Sequence, residues 1–325
     1  EDLEINDETP HIYSRLAAPN TTRLESILSK LCNGHALTYS TGLSAFHGLL
    51  TYFNPKVIAI GEGYHGCHGV IDVISKLSGL KKIDIDGDDA AWDEAGLGEG
   101  DVVHLETPLN PTGEAYDIAA YAERAHKRGA LLSVDATFGP PGLQDPFQRG
   151  ADVVMHSGTK YIGGHSDMLC GVLVVRDRKW WEGLWTERMY IGSVMGSFEG
   201  WLGVRSLRTL EVRVRQQSRN AERIVRWLDG CLKGEQSGAE AEVVRKVVVG
   251  LQHASLQKED MHWLKKQMPN GFGPVFAMMM RDRDSARTLP SKLKLFHHAT
   301  SLGGVESLIE WRKMSDQGVD ERLMR

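Results

Sequence analysis

Short, largely apolar runs at 36–39, 57–60, 102–105, 130–134, 151–155 and 170–175 read as buried strands, each bounded by turn residues. A further strand is expected at 82–85. Between these runs lie stretches with helical spacing. The first is 23–31, with Thr22 as its cap and Glu25 in its first turn. Another opens at the small residues Ser40-Thr41-Gly42 and runs to Phe53. A third follows Gly66 and reaches Ser78, and a fourth covers 118–127 and stops at Arg128-Gly129. This alternation predicts an α/β fold, a mostly parallel sheet with helices on both faces. The run at 170–175 is expected to be antiparallel at the sheet edge. The aromatic, glycine-rich stretch 180–196 reads as a connection, and 207–228 as a long helix with charged faces. A loop at 235–242, strands at 243–251 and 273–280 and helices at 259–267 and 284–289 predict a smaller α/β domain. The chain therefore divides into an arm (1–25), a large domain (26–212) and a smaller C-terminal domain (213–325).

Composition narrows the classes without naming one. The 325 residues are 41% hydrophobic and 25% charged, which suits about two globular domains. A net charge of −5 gives no electrostatic footprint for nucleic acid. No apolar run approaches a membrane span, and the acidic start EDLEINDETP reads as neither a signal nor a transit peptide. Cys32, Cys67, Cys170 and Cys231 are widely spaced with no CxxC, as expected of reduced thiols in a cytoplasmic protein. His65, Cys67 and His68 crowd into four residues and cannot converge on one ion without a further partner, so no metal is expected.

Candidate chemistry gathers where two strands end. Asp135 closes the run 130–134, and His156-Ser157-Gly158-Thr159-Lys160 closes 151–155. Open α/β sheets bind ligands beyond the carboxyl ends of their strands. A partly buried lysine there has a lowered pKa and a nucleophilic amine suited to a Schiff base. A carboxylate one strand away can pair with a pyridinium nitrogen, and neighbouring hydroxyls can hold a phosphate. Pyridoxal phosphate needs these groups together; the alternative is a plain buried ion pair between Lys160 and Asp135. The helix opening at Thr41-Gly42-Leu43 offers an anion site. Tyr64 could stack on a planar ring, and Asn110, in the turn Glu106-Thr107-Pro108-Leu109-Asn110-Pro111, could meet a phenolate oxygen. A competing pattern is Gly61-Glu62-Gly63-Tyr64-His65-Gly66, a literal dinucleotide fingerprint between a strand and a helix, with Asp84 and Asp86 downstream. It would suit a nicotinamide-dependent dehydrogenase. Against it, a strand and a helix already precede the motif, and no second nucleotide-binding half follows.

Taken together, Tyr13-Ser14-Arg15, Ser40-Thr41-Gly42-Leu43, the Glu106–Pro111 turn, Val134-Asp135-Ala136-Thr137-Phe138, the segment from His156 to His165 and Ser301-Leu302-Gly303-Gly304-Val305-Glu306-Ser307-Leu308 resemble one family. It is that of the pyridoxal-phosphate enzymes of cysteine and methionine metabolism: cystathionine γ-synthase, β-lyase and γ-lyase. The likeness covers nearly the whole chain and is greatest to fungal members. It implies the aspartate-aminotransferase-like fold (fold type I). It implies an amino-acid substrate and a homodimer or homotetramer with shared active sites. Lys160 would carry the cofactor and shuttle protons; Asp135 would hold the ring nitrogen protonated; Tyr64 would stack, and Asn110 would contact the phenolic oxygen. Thr41, Gly42, Leu43, Ser157 and Thr159 would hold the phosphate, helped by Tyr13 and Arg15 of a partner subunit. Ser301 would sit beside the lysine amine, and Arg325 would clamp the substrate carboxylate. The expected activity is replacement at Cγ of an activated homoserine, with lyase chemistry or a non-catalytic cofactor-binding homologue as alternatives. Ala136 replaces a usual Asn, and Asn20-Thr21-Thr22 replaces Asn-Pro-Thr. Arg325 is the last residue given; it is expected to be a loose end unless the chain continues.

Overall fold

The computed structural model describes residues 11–316 and 319–325. Its main sheet has seven strands: β1 (His35–Tyr39), β2 (Val57–Ile60), β3 (Lys81–Asp84), β4 (Val102–Glu106), β5 (Leu131–Asp135), β6 (Val153–Ser157) and β7 (Gly171–Val175). They lie in the order β1-β7-β6-β5-β4-β2-β3. Pairings from β6 across to β3 are parallel, while β7 runs antiparallel to both β6 and β1. The expected edge position of 170–175 is therefore corrected: β7 is antiparallel but interior, with every residue buried, and β1 takes the edge. A strand this apolar on both faces needs cover on both sides.

Helices supply that cover. α1 (Pro19–Leu31), α2 (Gly42–Phe53), α3 (His65–Ser78), α4 (Asp89–Ala95), α5 (Ile118–His126), α6 (Arg178–Ile191) and α7 (Ser197–Leu207) surround the sheet. Leu24, Leu28, Trp92, Ile118, Ala125 and Leu202 bring α1, α4, α5 and α7 onto one core. Phe46, Leu49, Ile71 and Leu184 bring α2, α3 and α6 onto the other. Two element expectations are corrected here. α1 begins at Pro19 with Ala18 as cap, so Thr22 lies inside the helix; proline at the first position needs no partner for its absent N–H. Residues 178–191 form a helix rather than a connection, started by Asp177, whose carboxylate accepts from Lys179 N.

The C-terminal part carries α8 (Leu210–Leu232), α9 (Ala239–Val247), α10 (Met261–Gln267) and α11 (Arg283–Lys292). Its strands are β8 (Val248–Gln252), β9 (Ala277–Met280), β10 (His297–His298), β11 (Leu308–Ile309) and β12 (Leu323–Met324). A separate antiparallel sheet, β12-β9-β8, packs on α8, α9 and α11 through Leu228, Val244, Met280 and Ala286. The strand expected at 243–251 starts only at Val248, and the loop expected at 235–242 already contains the first turn of α9. Glu240 and Glu242 in its first turn and Arg245 and Lys246 in its last favour a helix there. The boundary expected at 212/213 falls in the first turn of α8. All four cysteines are buried and free. Among the described residues, no helix is long and apolar enough to cross a membrane.

Candidate active site

β4, β5 and β6 end together, and their last residues, Glu106, Asp135 and Ser157, border one cavity of about 580 Å³. Thr41, Gly42, Leu43, Tyr64, Asn110, Thr159, Lys160, Ser301 and Arg325 line the same space. Tyr13 and Arg15 do not. Tyr13 is exposed, and Arg15 donates to the Met189 carbonyl in α6 at 3.0 Å.

The amine of Lys160 donates to Ser301 Oγ at 3.0 Å. Burial, and then the positive charge of Arg325, hold that amine below the usual lysine range, while Glu310 acts the other way. A lowered pKa leaves more of the amine free to attack a carbonyl.

Asp135 is buried and is oriented by a residue with no assigned role in the sequence reading. Thr137 donates its backbone N–H at 2.9 Å and its hydroxyl at 2.6 Å to Asp135 Oδ1. The Thr137 hydroxyl in turn accepts from Ser157 N at 2.8 Å. Asp135 Oδ2 has no partner among the described residues and is left for the cavity. The Asp-x-Thr spacing, a common turn-forming pattern, is the signal that could have pointed to Thr137.

Glu106 sits beside Asp135 in register across β4 and β5. Its two oxygens accept from Tyr64 N and Asn110 N, each at 2.8 Å. One carboxylate thus ties Tyr64 and Asn110 to the end of β4. Burial, then the charge of Asp135, raises the Glu106 carboxyl to about 8. Burial raises the Asp135 carboxyl as well, and the hydrogen bonds from Thr137 oppose that rise; a charge on Asp135 in turn keeps the proton on Glu106.

The start of α2 meets the end of β6. The Thr41 hydroxyl accepts from Ser44 N at 3.0 Å, and Ser44 Oγ accepts from Thr41 N at 3.0 Å, a reciprocal capping box. With those groups committed, the N–H groups of Gly42 and Leu43 remain for an anion. A Cβ on Gly42 would stand 3.2 Å from Ser157 Oγ, so the two segments approach closely. Thr159 spends its hydroxyl proton on the Cys170 carbonyl at 3.3 Å and accepts from Cys170 N at 3.0 Å.

Arg325 is not a loose end. It donates to Asn110 Oδ1 at 3.0 Å, to the Thr300 carbonyl and to Glu310, and its backbone pairs with that of Glu310. Holding Asn110 by its oxygen aims the amide N–H₂ elsewhere in the cavity. Glu310, Arg312 and Ser315 complete this wall and went unnoticed in the sequence, which offers no periodicity or motif to mark them.

The fingerprint glycines make room for the protein's own groups. A Cβ on Gly63, at φ +138°, would meet Glu106 Oε2 at 2.5 Å, and one on Gly66 would meet the Tyr64 ring at 2.5 Å. Gly66 lies within α3 instead of opening it. The dinucleotide reading is thereby corrected. Among the described residues, no cluster of His, Cys, Asp and Glu could hold a metal ion.

A lysine with a suppressed charge and a fixed carboxylate, at the carboxyl edge of this sheet, define the class: a pyridoxal-phosphate-dependent enzyme of fold type I. A cystathionine γ-lyase from Lactobacillus plantarum, solved with L-serine, superposes with a TM-score of 0.85 at 28% identity, over 100% of this chain and 85% of that one. The model of the family described as Cys/Met metabolism PLP-dependent enzyme matches residues 1–321, and the chain belongs to that family. Escherichia coli cystathionine γ-synthase is 33% identical over 317 residues, 94% of this chain and 77% of that protein. A cystathionine β-lyase of Lactococcus lactis is 31% identical over 306 residues, 92% of this chain and 76% of that protein. The chain is thus an enzyme of the transsulfuration type, and the non-catalytic reading gives way.

Proposed function

We propose that the enzyme replaces or eliminates a group at Cγ of an activated homoserine, as a cystathionine γ-synthase does. The observation that carries this is the single cavity shared by the Lys160 amine, the Asp135 carboxylate and the Arg325 guanidinium. When bound, pyridoxal phosphate supplies an electron sink that makes the substrate's Cα and Cβ protons removable. The residues present fit it. Gly42 N–H, Leu43 N–H and the Ser157 hydroxyl, which border the same cavity, would hold its phosphate. The open oxygen of Asp135 suits its ring nitrogen, the half-exposed Tyr64 its face and the Asn110 amide its phenolic oxygen.

Arg325 then holds the substrate α-carboxylate through a two-pronged contact, which orients the amino acid with Cα toward Lys160. For replacement, the Lys160 amine would take the Cα proton and a Cβ proton, the ester group would leave from Cγ as its acid with the proton of the incoming cysteine thiol, the thiol sulfur would bond to Cγ, and the protons would return to Cβ and Cα, with Ser301 Oγ steering the amine. Asp135, whose charged form the Thr137 hydrogen bonds favour against burial, would face the neighbouring positive charge.

Synthase and lyase names occur among the relatives at similar identity, so cleavage of cystathionine is the second reading. A product screen by mass spectrometry tests both, with homoserine esters plus cysteine on one side and cystathionine alone on the other. Cystathionine formed from an ester supports the first reading. Pyruvate or 2-oxobutanoate released from cystathionine, with no ester consumed, rejects it.

The proposed working unit contains at least two chains, each lending Tyr13 and Arg15 to the other's phosphate. Ile12, Tyr190, Phe198 and Trp201, exposed around the arm and the α6–α7 turn, provide apolar surface for that contact. The proposed domain limits remain 26–212 and 213–325, with a cytoplasmic location.

A further inference from the structure

His65 has no role in the mechanism above, yet it borders the same cavity. It is the first residue of α3 and follows Tyr64, which stands at the N-terminal boundary of that helix. His65 is exposed, and its imidazole lies against the Tyr64 ring, with the centroids 5.0 Å apart and the planes at 54°. Among the described residues its ring nitrogens have no hydrogen-bond partner. Lys160 enters the cavity from the end of β6 and His65 from the end of β2, three places away in the order β6-β5-β4-β2. The amine and the imidazole therefore approach one space from opposite sides.

Replacement calls for a second proton carrier. Lys160 is occupied with the protons on Cα and Cβ, while the group at Cγ leaves before the incoming thiol has given up its own proton. The carboxylates of the cavity are committed. Glu106 accepts from Tyr64 N and Asn110 N, Asp135 is held by Thr137, and Glu310 pairs with Arg312 and Arg325. Burial, and then Cys67 and Glu106, raise the Tyr64 hydroxyl, so it keeps its proton and is a poor base. Imidazole is the side-chain group suited both to give and to take a proton near neutral pH.

We propose that His65 is a catalytic acid and base that holds the leaving-group proton between the two halves of the reaction. This rests on the reading that a group departs from the substrate side chain. In the first half, the imidazolium gives its proton to the departing oxygen as the Cγ–O bond breaks and the bonding pair passes to that oxygen. In the second, the neutral imidazole takes the proton of the cysteine thiol while a sulfur electron pair forms the Cγ–S bond. The imidazolium is restored, and atoms and charge balance without a further reactant. With cystathionine as substrate, the same proton goes to the departing sulfur, and solvent restores it at the exposed ring.

The test compares the wild-type holoenzyme with His65→Ala and His65→Gln, using two readouts on each preparation. One is turnover, of O-acetyl- and O-succinylhomoserine with cysteine and, separately, of cystathionine alone. The other is exchange of the Cα hydrogen of 2-aminobutanoate in D₂O, followed by NMR. That amino acid has no group to lose, so its exchange draws on Lys160 and the cofactor alone. In both variants the ratio of turnover to exchange is expected to fall by about 10²-fold or more. Added imidazole is expected to raise the turnover of His65→Ala by about tenfold. Each ratio is taken on one preparation, so partial unfolding or partial cofactor loading cancels. An unchanged ratio overturns the proposal, and so does an equal loss of turnover and exchange, which a displaced Tyr64 or cofactor would give. A lowered ratio that imidazole leaves where it is also overturns it, because the lost function is then not proton transfer. Cystathionine cleaved with no ester consumed, and the ratio lowered in both variants, sustains His65 and rejects the replacement chemistry. Cystathionine formed from an ester, with the ratio unchanged, does the reverse. No turnover of any substrate, or no exchange, in the wild type rejects both.

Discussion

Burial disfavours the charged form of both Lys160 and Asp135. Burial and Arg325 strip charge from the lysine, while Thr137 stabilises charge on the aspartate. Lys160→Ala is expected to lower kcat by about 10³-fold or more, since both the covalent anchor and the proton carrier are lost. Full turnover in that variant would refute the assignment. Thr137→Ala removes one hydrogen bond to a charged oxygen, a loss of about 1.5–3 kcal/mol. It should shift the cofactor's visible absorption toward that of an unprotonated ring and lower kcat by at least about tenfold. An unchanged spectrum would show that Asp135 holds its charge without Thr137. At this scale the sequence was legible where a side chain had a strand end or a motif to mark it. Lys160, Asp135 and Tyr64 were found this way, and all three line the cavity. Glu310, Arg312 and Ser315 were not, because they reach the wall from the end of β11 and the short turn Arg312–Met314, whose sequence carries no period.

Among the elements, α2 does the most to shape the anion site. Its capping box commits Thr41 and Ser44 to each other and leaves two N–H groups for a ligand. Thr41→Ala is expected to cost about 1 kcal/mol, seen as a fall in Tm, and to weaken retention of the cofactor on dialysis. A variant with unchanged Tm and cofactor content would mean that the cap is redundant. The strands of the main sheet were readable because each is a short apolar run between turns. The helices at 178–191 and 239–247 were not. The first is rich in tryptophan and opens on Arg178-Lys179, which hides its start; only the Asp177 cap marks it. The second runs without a turn into β8, so its valines at 243, 244, 247 and 248 read as one strand. The glycines of 61–66 misled by spacing alone: their lack of side chains serves Glu106 and the Tyr64 ring.

For the molecule as a whole, the acid pair sets a pH dependence. The Glu106 carboxyl moves from its ordinary 4.5 to about 8 on folding. Between those values the folded chain binds more protons than the unfolded one, so this group's contribution falls as pH rises. It is fully present below the lower value and lost above the upper. The Tm of the cofactor-free protein is expected to decline between about pH 5 and about pH 8, and Glu106→Gln to flatten that decline. A rising Tm over the same window, unaffected by the substitution, would contradict it. Sharing of sites between chains has its own check. A Lys160→Ala chain and an Arg15→Ala chain, each poorly active alone, should regain activity when coexpressed, because one hybrid site then carries both native residues. No recovery would place Arg15 outside the neighbour's site.

The most direct measurement is borohydride reduction of the yellow, cofactor-loaded enzyme, followed by digestion and mass spectrometry. The expected result is one pyridoxyl group, fixed to the peptide that contains Lys160. Label on another lysine, or none on a protein that still turns over substrate, would contradict the central claim.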